Sequence, residues 1–457
     1  MGKPYFFQGK LWDVFDLDRE LAPGLREVRD FLEVLGECDQ ELISALETER
    51  ANGRDDYPVR AMWRLMAVQL FLRKGLFSDL LGELRRNKDL ARLLRFNEPL
   101  PGEFLQPPAH VLSRFHAKLK QEKYQLMIKK IHAKTVYLLR QEDSTIGEHA
   151  AGDSTDIRTH GHSVRREGKE EEKPATDPEA SWSVKTKRWE DAEGRKREET
   201  KSTFGYKAFL WVDVVQPSVL ALETTTGSVN DQTMAQPMLE ATLENVGKGT
   251  LKTCAMDKGF DSSETVREAH GQGVAAIVPV RDVKEELQAQ AHEDREVLLK
   301  QGGNIVWDRY SGEVACYAPG EAGQTLRREM KYAGFEQDRG THKFRCPLGA
   351  GALSCSAFST CSAGSSGKQG RQIRVPSKTD TRRFAPIYPR SKHWKRLYNG
   401  RSAVERVNSY LKEVLRLEQH SLRGKQAIGL RVLMASVTLH LRTLLAIRAA
   451  KQEKAAA

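Results

Sequence analysis

From Phe204 to Val280 the chain alternates between two periodicities, and that alternation narrows the folds open to it more than any other feature. "FGYKAFLWVDVV" (204–215) and "SVLALETTT" (218–226) are strand-like runs around a Gln216-Pro217 turn, a natural hairpin. An amphipathic helix capped near Asn230 follows, "NDQTMAQPMLEATLENV". Then come a strand, "TLKTCAMD" (250–257), a short helix, "SSETVREAHGQG", and a buried apolar run, "VAAIVPV" (274–280). Upstream, "STIGEHAAGDST" supplies a first strand ending in a turn-like Asp-Ser-Thr. The order β-β-β-α-β-α-β predicts an α/β chain with a mixed sheet and flanking helices.

The rest of the 457 residues is organised around that core. Residues 1–140 are expected to form an all-helical, basic DNA-binding domain that could place one helix in a DNA groove, with helical patterning over 24–140 and a break near Asn87. The first part of the core is placed at 141–284. It includes a stretch, 165–201, with eleven basic and eleven acidic residues and few aliphatics, read as an exposed insertion or partly disordered loop. Trp182 and Trp189 within it are suited to local packing or to stacking on bases. Residues 285–385, rich in Gly and Ser and holding four of the six cysteines, read as an inserted subdomain. Residues 386–457 return to helix, at about Ser402.

A net charge of +11 favours a polyanionic partner, nucleic acid before an anionic membrane surface. The excess is clustered, with eleven Lys/Arg against three Asp/Glu between Pro386 and Arg431. The most apolar late run, "VLMASVTLHLRTLLAI", is interrupted by His440 and Arg442 and is shorter than the roughly 20 residues a span needs, so it reads as a buried helix. No secretory signal opens the chain, and a cytoplasmic protein without membrane partners is expected, nucleoid-associated when bound to DNA.

Three acids stand where chemistry would need them. Asp153 ends the first strand, Asp257 ends a later one, and Glu405 starts a late helix. Carboxylates gathered at strand ends form an oxygen-rich pocket suited to magnesium, and a pair of such ions serves phosphodiester cleavage. Each acid also fits a plainer role. Asp153 and Asp257 suit turns, and Ser402 with Glu405 fits a capping box. Asp156 and Asp261 are nearby rivals for the first two positions. Tyr398, Arg401, Glu405 and Lys412 would share one helix face, with Arg and Lys placed to clamp phosphates, although Gly400 weakens the helix before Ser402.

Tyr398-x2-Arg401-x3-Glu405-x6-Lys412 matches the Y-x2-R-x3-E-x6-K signature of DDE transposases of bacterial insertion sequences. The resemblance is closest to the group around insertion sequences 4 and 1182. "DST" at 153–155 is similar to that family's first-Asp motif, and "DKGFDS" at 257–262 to its D-x-G-[YF] second-Asp motif. The hairpin and helix between the acids and the helical stretch 57–96 also resemble the family. The resemblance implies an RNase H-like mixed-sheet catalytic core with an inserted subdomain. It implies Asp153, Asp257 and Glu405 as catalytic acids holding magnesium or manganese, and Tyr398, Arg401, Lys412 and Arg406 as DNA-binding residues. The implied activity is cutting the ends of a mobile element and joining them to target DNA, by a homodimer on double-stranded DNA. The competing reading is a transposase-derived DNA-binding protein without catalysis. Separately, Cys346, Cys355 and Cys361, with Cys316 or His342, form a loose candidate set for a structural zinc.

Overall fold

The computed structural model describes residues 23–456 apart from 52–55, 101, 164, 168–170, 192, 281–294, 300–302, 320–323 and 348–370. The chain divides into two units: Met1–Ile146, Ser154–Val229 and Glu405–Ala457 form one, Gly147–Asp153 and Asn230–Val404 the other.

Among the described residues the first unit opens with seven helices: α1 (Pro23–Gly36), α2 (Gln40–Arg50), α3 (Val59–Phe71), α4 (Phe77–Arg86), α5 (Lys88–Leu94), α6 (Ala109–Leu119) and α7 (Glu122–Glu142). The expected break falls where predicted, because the Asn87 side chain accepts from Leu90 N and caps α5. Strand β1 (His149–Arg158) then crosses from the second unit into the first. The mixed-charge stretch differs from its expectation as a loop. It is ordered as β2 (Arg165–Glu167), β3 (Glu171–Lys173) and β4 (Ser181–Glu190), and continues into β5 (Lys196–Asp213). Cross-strand pairing supplies the order that hydrophobicity could not: β4 and β5 pair antiparallel from Ser181↔Gly205 to Glu190↔Lys196. Trp182 packs on Phe204 with ring centroids 5.4 Å apart, yet it stays exposed, as does Trp189. Gly205 is required here, since a side chain would lie 2.2 Å from the Ile157 carbonyl of β1. The far half of β5 pairs with β6 (Val219–Thr226), the expected hairpin.

The second unit carries α8 (Asp231–Val246), β7 (Thr253–Met256), α9 (Ser263–Gly271) and β8 (Ala275–Ile277). β1 pairs in parallel with β7, and β7 with β8. Parallel and antiparallel strands thus give the mixed α/β architecture that the alternation predicted. Asn230 and Ser262 cap α8 and α9 through their side chains. The inserted region builds one antiparallel sheet from β9 (Glu296–Leu298), β10 (Ile305–Asp308), β11 (Val314–Pro319) and β12 (Thr325–Glu329). A second comprises β13 (Lys331–Glu336), β14 (Thr341–Arg345) and β15 (Gln372–Pro376). They share a core of Ile305, Trp307, Val314, Phe344, Ile373, Val375, Phe384 and Tyr388.

Helix returns earlier than expected, at α10 (Lys392–Asn399), followed by α11 (Ser402–Ser409) and a π-helical turn, Tyr410–Val414. The last helix, α12 (Lys425–Ala456), packs in the first unit against α1, α3, α7 and β6. It is long and apolar enough to span a membrane, but 78% of its apolar window is buried inside the protein, as a core helix would be. His440 on α12 is fully buried. Its Nε2 accepts from Val219 N (2.9 Å), which leaves the proton on Nδ1, 2.7 Å from Thr135 Oγ1.

Candidate active site

The sheet register brings the two aspartates together. β1 and β7 run in parallel with Gly152 opposite Met256, and the next residue on each strand is Asp153 and Asp257. Each acid directly follows the last registered pair of the two strands. Asp257 leaves β7 at its carboxyl-terminal end, as expected, whereas Asp153 lies inside β1, which runs on to Arg158 and so differs from the expected strand end. Asp257 caps a 3-10 turn, Lys258–Phe260, and its carboxylate accepts from Gly259 N. A Cβ at residue 259 would sit 3.2 Å from Asp257 Oδ1 and 3.1 Å from Asp231 Oδ2. The glycine of "DKG" is thus what lets two carboxylates approach one turn. Asp231, the first residue of α8, was missed by sequence reasoning. It looks there like an ordinary first-turn acid, and only the contact of α8 with the turn reveals it.

Asp153 is half-buried, and its Oδ2 lies 3.6 Å from Arg401 Nη1. Arg401 therefore sits on the first aspartate, where the sequence had suggested a phosphate clamp. Tyr398 ends α10 with its ring stacked on Trp394, centroids 4.9 Å apart and planes 12° apart. α10 packs beside β7 and β8, within the unit that holds both aspartates.

The remaining matched residues belong to the first unit. Glu405 is exposed, in the first turn of α11. Ser402 is already helical and its hydroxyl donates to the Asn399 carbonyl (3.1 Å), which differs from the expected N-cap role. The single helical face also differs from expectation. Gly400 separates α10 from α11, and Lys412 falls in the π-helical turn, so the 100° increment does not run through. Lys412 Nζ donates to the Asp156 carbonyl (2.8 Å) and pairs with Glu418 (2.8 Å). Arg406 reaches the Val214 carbonyl at 3.4 Å.

The rival acids have partners of their own. Asp261 is buried against Arg382 (3.1 Å), and Asp156 pairs with Lys185 (3.0 Å). Among the described residues no group of three or more Asp, Glu, His or Cys is close enough to hold a metal ion. The carboxylates of Asp153 and Asp257 are nevertheless hard oxygen donors of the kind magnesium takes, a few at a time with water completing the shell. For zinc, Cys316 and Cys346 are half-buried free thiols, while Cys355 and Cys361 lie outside the described residues. His342 is buried, with Nε2 2.9 Å from the Phe384 carbonyl, and burial pushes its pKa down. A cavity lined by Met66, Gln69, His116, His420 and Arg431 belongs to the helical first unit and includes none of the three matched acids.

The family model for the transposase DDE domain matches residues 146–441, well over half of the chain and a range that includes Asp153, Asp257 and Glu405. No curated protein matches the chain.

Proposed function

The chain belongs to the transposase DDE domain family, and from that premise we propose that it binds the ends of a mobile DNA element, hydrolyses phosphodiester bonds there and joins the freed 3′ ends to target DNA. The observation that carries this reading is the pairing of Gly152 with Met256, the last of the β1–β7 register, after which Asp153 and Asp257 follow on the two neighbouring chains. On this reading Glu405 is the third acid, and the finer kinship is with insertion sequences carrying the Y-x2-R-x3-E-x6-K signature. The core is of the RNase H-like kind, supported by the mixed sheet and the order of its elements.

Asp153, Asp257 and Glu405 would hold magnesium or manganese. Bound there, the metal would lower the pKa of an attacking water and stabilise the leaving oxygen. Arg401 lies on Asp153 in the free protein and would exchange that carboxylate for a substrate phosphate. Gly259 keeps the approach to Asp257 open. Two DNA ends must be handled together, which favours a homodimer on double-stranded DNA.

The test uses the full chain with DNA from the flanks of its own gene, with and without magnesium, and maps the cut ends. Magnesium-dependent cuts at fixed positions are expected. Tight, sequence-specific binding with no cleavage in magnesium or manganese would instead establish the catalytically inactive, transposase-derived DNA-binding protein.

A further inference from the structure

We propose that the outer face of the β13–β14–β15 sheet is a docking surface for the phosphate backbone of duplex DNA, a surface separate from the three acids and their neighbours. The inference rests on the DNA-acting function proposed above and names a contact that it does not include.

The register fixes the face. On one side Tyr332, Phe344 and Ile373 line up across the three strands, as do Phe335, His342 and Val375. Of these, Phe344, Ile373 and Val375 are core residues and Tyr332 packs against that core. The opposite side carries Lys331 opposite Arg345, and Lys343 opposite Arg374. Directly paired residues hold their Cβ atoms about 5 Å apart, and like charges so placed are destabilising. The two cationic rungs are two residues apart along β14, about 7 Å.

Little on this face offsets the repulsion. Glu336 takes Arg374 at 2.6 Å and also lies 3.9 Å from Arg339 and 4.0 Å from Lys343, while Asp338 is 3.6 Å from Arg339. Among the described residues neither Lys331 nor Arg345 has an ion-pair partner, and Arg345 Nε is buried without a hydrogen-bond partner. Five cations (Lys331, Arg339, Lys343, Arg345 and Arg374) thus face two carboxylates, Glu336 and Asp338.

The neighbouring sheet of the same unit is the internal control. There Arg327 is shared between Glu296 and Glu313, Arg390 pairs with Glu329 (3.0 Å) and Glu313 (3.4 Å), and Arg295 pairs with Asp308 (2.7 Å). That sheet sets Arg295, Arg327 and Arg390 against acids, although Arg328 Nε on β12 is buried without a hydrogen-bond partner, as Arg345 Nε is here. What distinguishes the β13–β15 sheet is that it stacks cations against cations on a half-exposed face. An arrangement that costs stability in the free protein is relieved by a repeating anion. Two cationic rungs suit successive backbone phosphates better than an isolated carboxylate. Such contacts position a duplex without reading its sequence.

The test compares the full-length chain with the double variant Lys331→Gln/Arg345→Gln. Affinity is measured by fluorescence anisotropy against salt concentration, on an element-end duplex and on an unrelated duplex of equal length. Each lost phosphate contact removes about 0.9 from the slope of log K against log salt, so the slope should flatten by about two on both duplexes. Thermal unfolding of the variant should be unchanged or shifted upward, because a like-charge pair has gone. The charge-conserving variant Lys331→Arg/Arg345→Lys should keep the slope, and Lys343→Gln, which leaves the first rung intact, should flatten it by about one. An unchanged slope in Lys331→Gln/Arg345→Gln overturns the inference, as does a change confined to the element-end duplex. If the wild-type chain still cuts element ends in magnesium, only this inference falls. If the wild-type chain shows no salt-dependent DNA binding, the function proposed above falls with it.

Discussion

Two groups of titratable residues are held in opposite ways. In the helical first unit, His116, His132 and His440 are buried, and burial pulls the first two down to about 4 and holds His440 well below its usual value. His440 spends both ring nitrogens on Thr135 and Val219. In the second unit, where the β1–β7 register ends, Asp153 and Asp257 are half-exposed, and they are positioned by register, one turn and one arginine. A cluster of strongly shifted groups is often taken to mark an active site. Here that cluster is structural, and the acids matched to chemistry are those that sheet pairing delivers to an accessible edge.

The sharpest way to break this contrast is to remove each group in turn. Asp153→Ala, Asp257→Ala and Glu405→Ala should each lower DNA cleavage at least about a thousandfold, since metal ligation supplies several kcal/mol of transition-state stabilisation. Their DNA affinity and unfolding midpoint should stay close to wild type. Full cleavage by any one of them in magnesium removes that residue from the site.

His440→Ala should show the reverse pattern. It orphans the buried Val219 N–H and opens a cavity, costing about 3 kcal/mol in denaturant unfolding. The cleavage rate of whatever stays folded should change little.

The same histidines predict the direction of a pH effect. Their folded pKa values lie below the unfolded value of about 6.5, so between about 6.5 and 4 the unfolded chain binds protons that the folded chain refuses. Stability is therefore complete above that window and is lost as pH falls through it, by about 2 kcal/mol per group at its lower end. Chemical denaturation at pH 7.5 and 5 measures this, and His132→Phe should shrink the difference. A larger difference in that variant would assign the effect elsewhere.

Smaller effects sharpen the side of the two aspartates. Gly259→Ala should slow cleavage about tenfold, because the new Cβ must displace Asp257 or Asp231 by a few tenths of an ångström. Arg401→Ala should weaken DNA binding and flatten its salt slope by about one, if Arg401 exchanges Asp153 for phosphate. A wild-type slope would leave Arg401 as a structural partner of Asp153 alone.

Much of this was legible in advance. The β-β-β-α-β-α-β order followed from local periodicity, and Asn87, Asn230 and Ser262 each cap a helix as their residue types suggest. Asp257 was readable as a strand-end acid, because it directly follows a short run of strand character that ends in a turn. The same reading of Asp153 was wrong: the polar residues after it continue β1 to Arg158, and β1 lies beside β5 in the sheet. The stretch 165–201 was misread because its order comes from pairing with later residues and not from an apolar face. Helix α10 was overlooked because its eight residues include three basic ones and no buried side chain. Glu405, Arg401 and Lys412 keep the spacing that the sequence displayed, but the π-helical turn and Gly400 give Lys412 a different neighbourhood.

By itself, then, the sequence determined the helices and strands that carry a local periodicity and the turn at which β7 ends on Asp257, since these depend on residues a few positions apart. Tertiary structure alone decided that Asp231 flanks Gly259, that Arg401 lies on Asp153, and that cations oppose cations on the β13–β15 sheet. Each of those facts joins elements distant in the chain through register or packing. A shift of one residue in register turns every side chain of a strand to the other face, and local patterning does not encode which partner residue each side chain will meet.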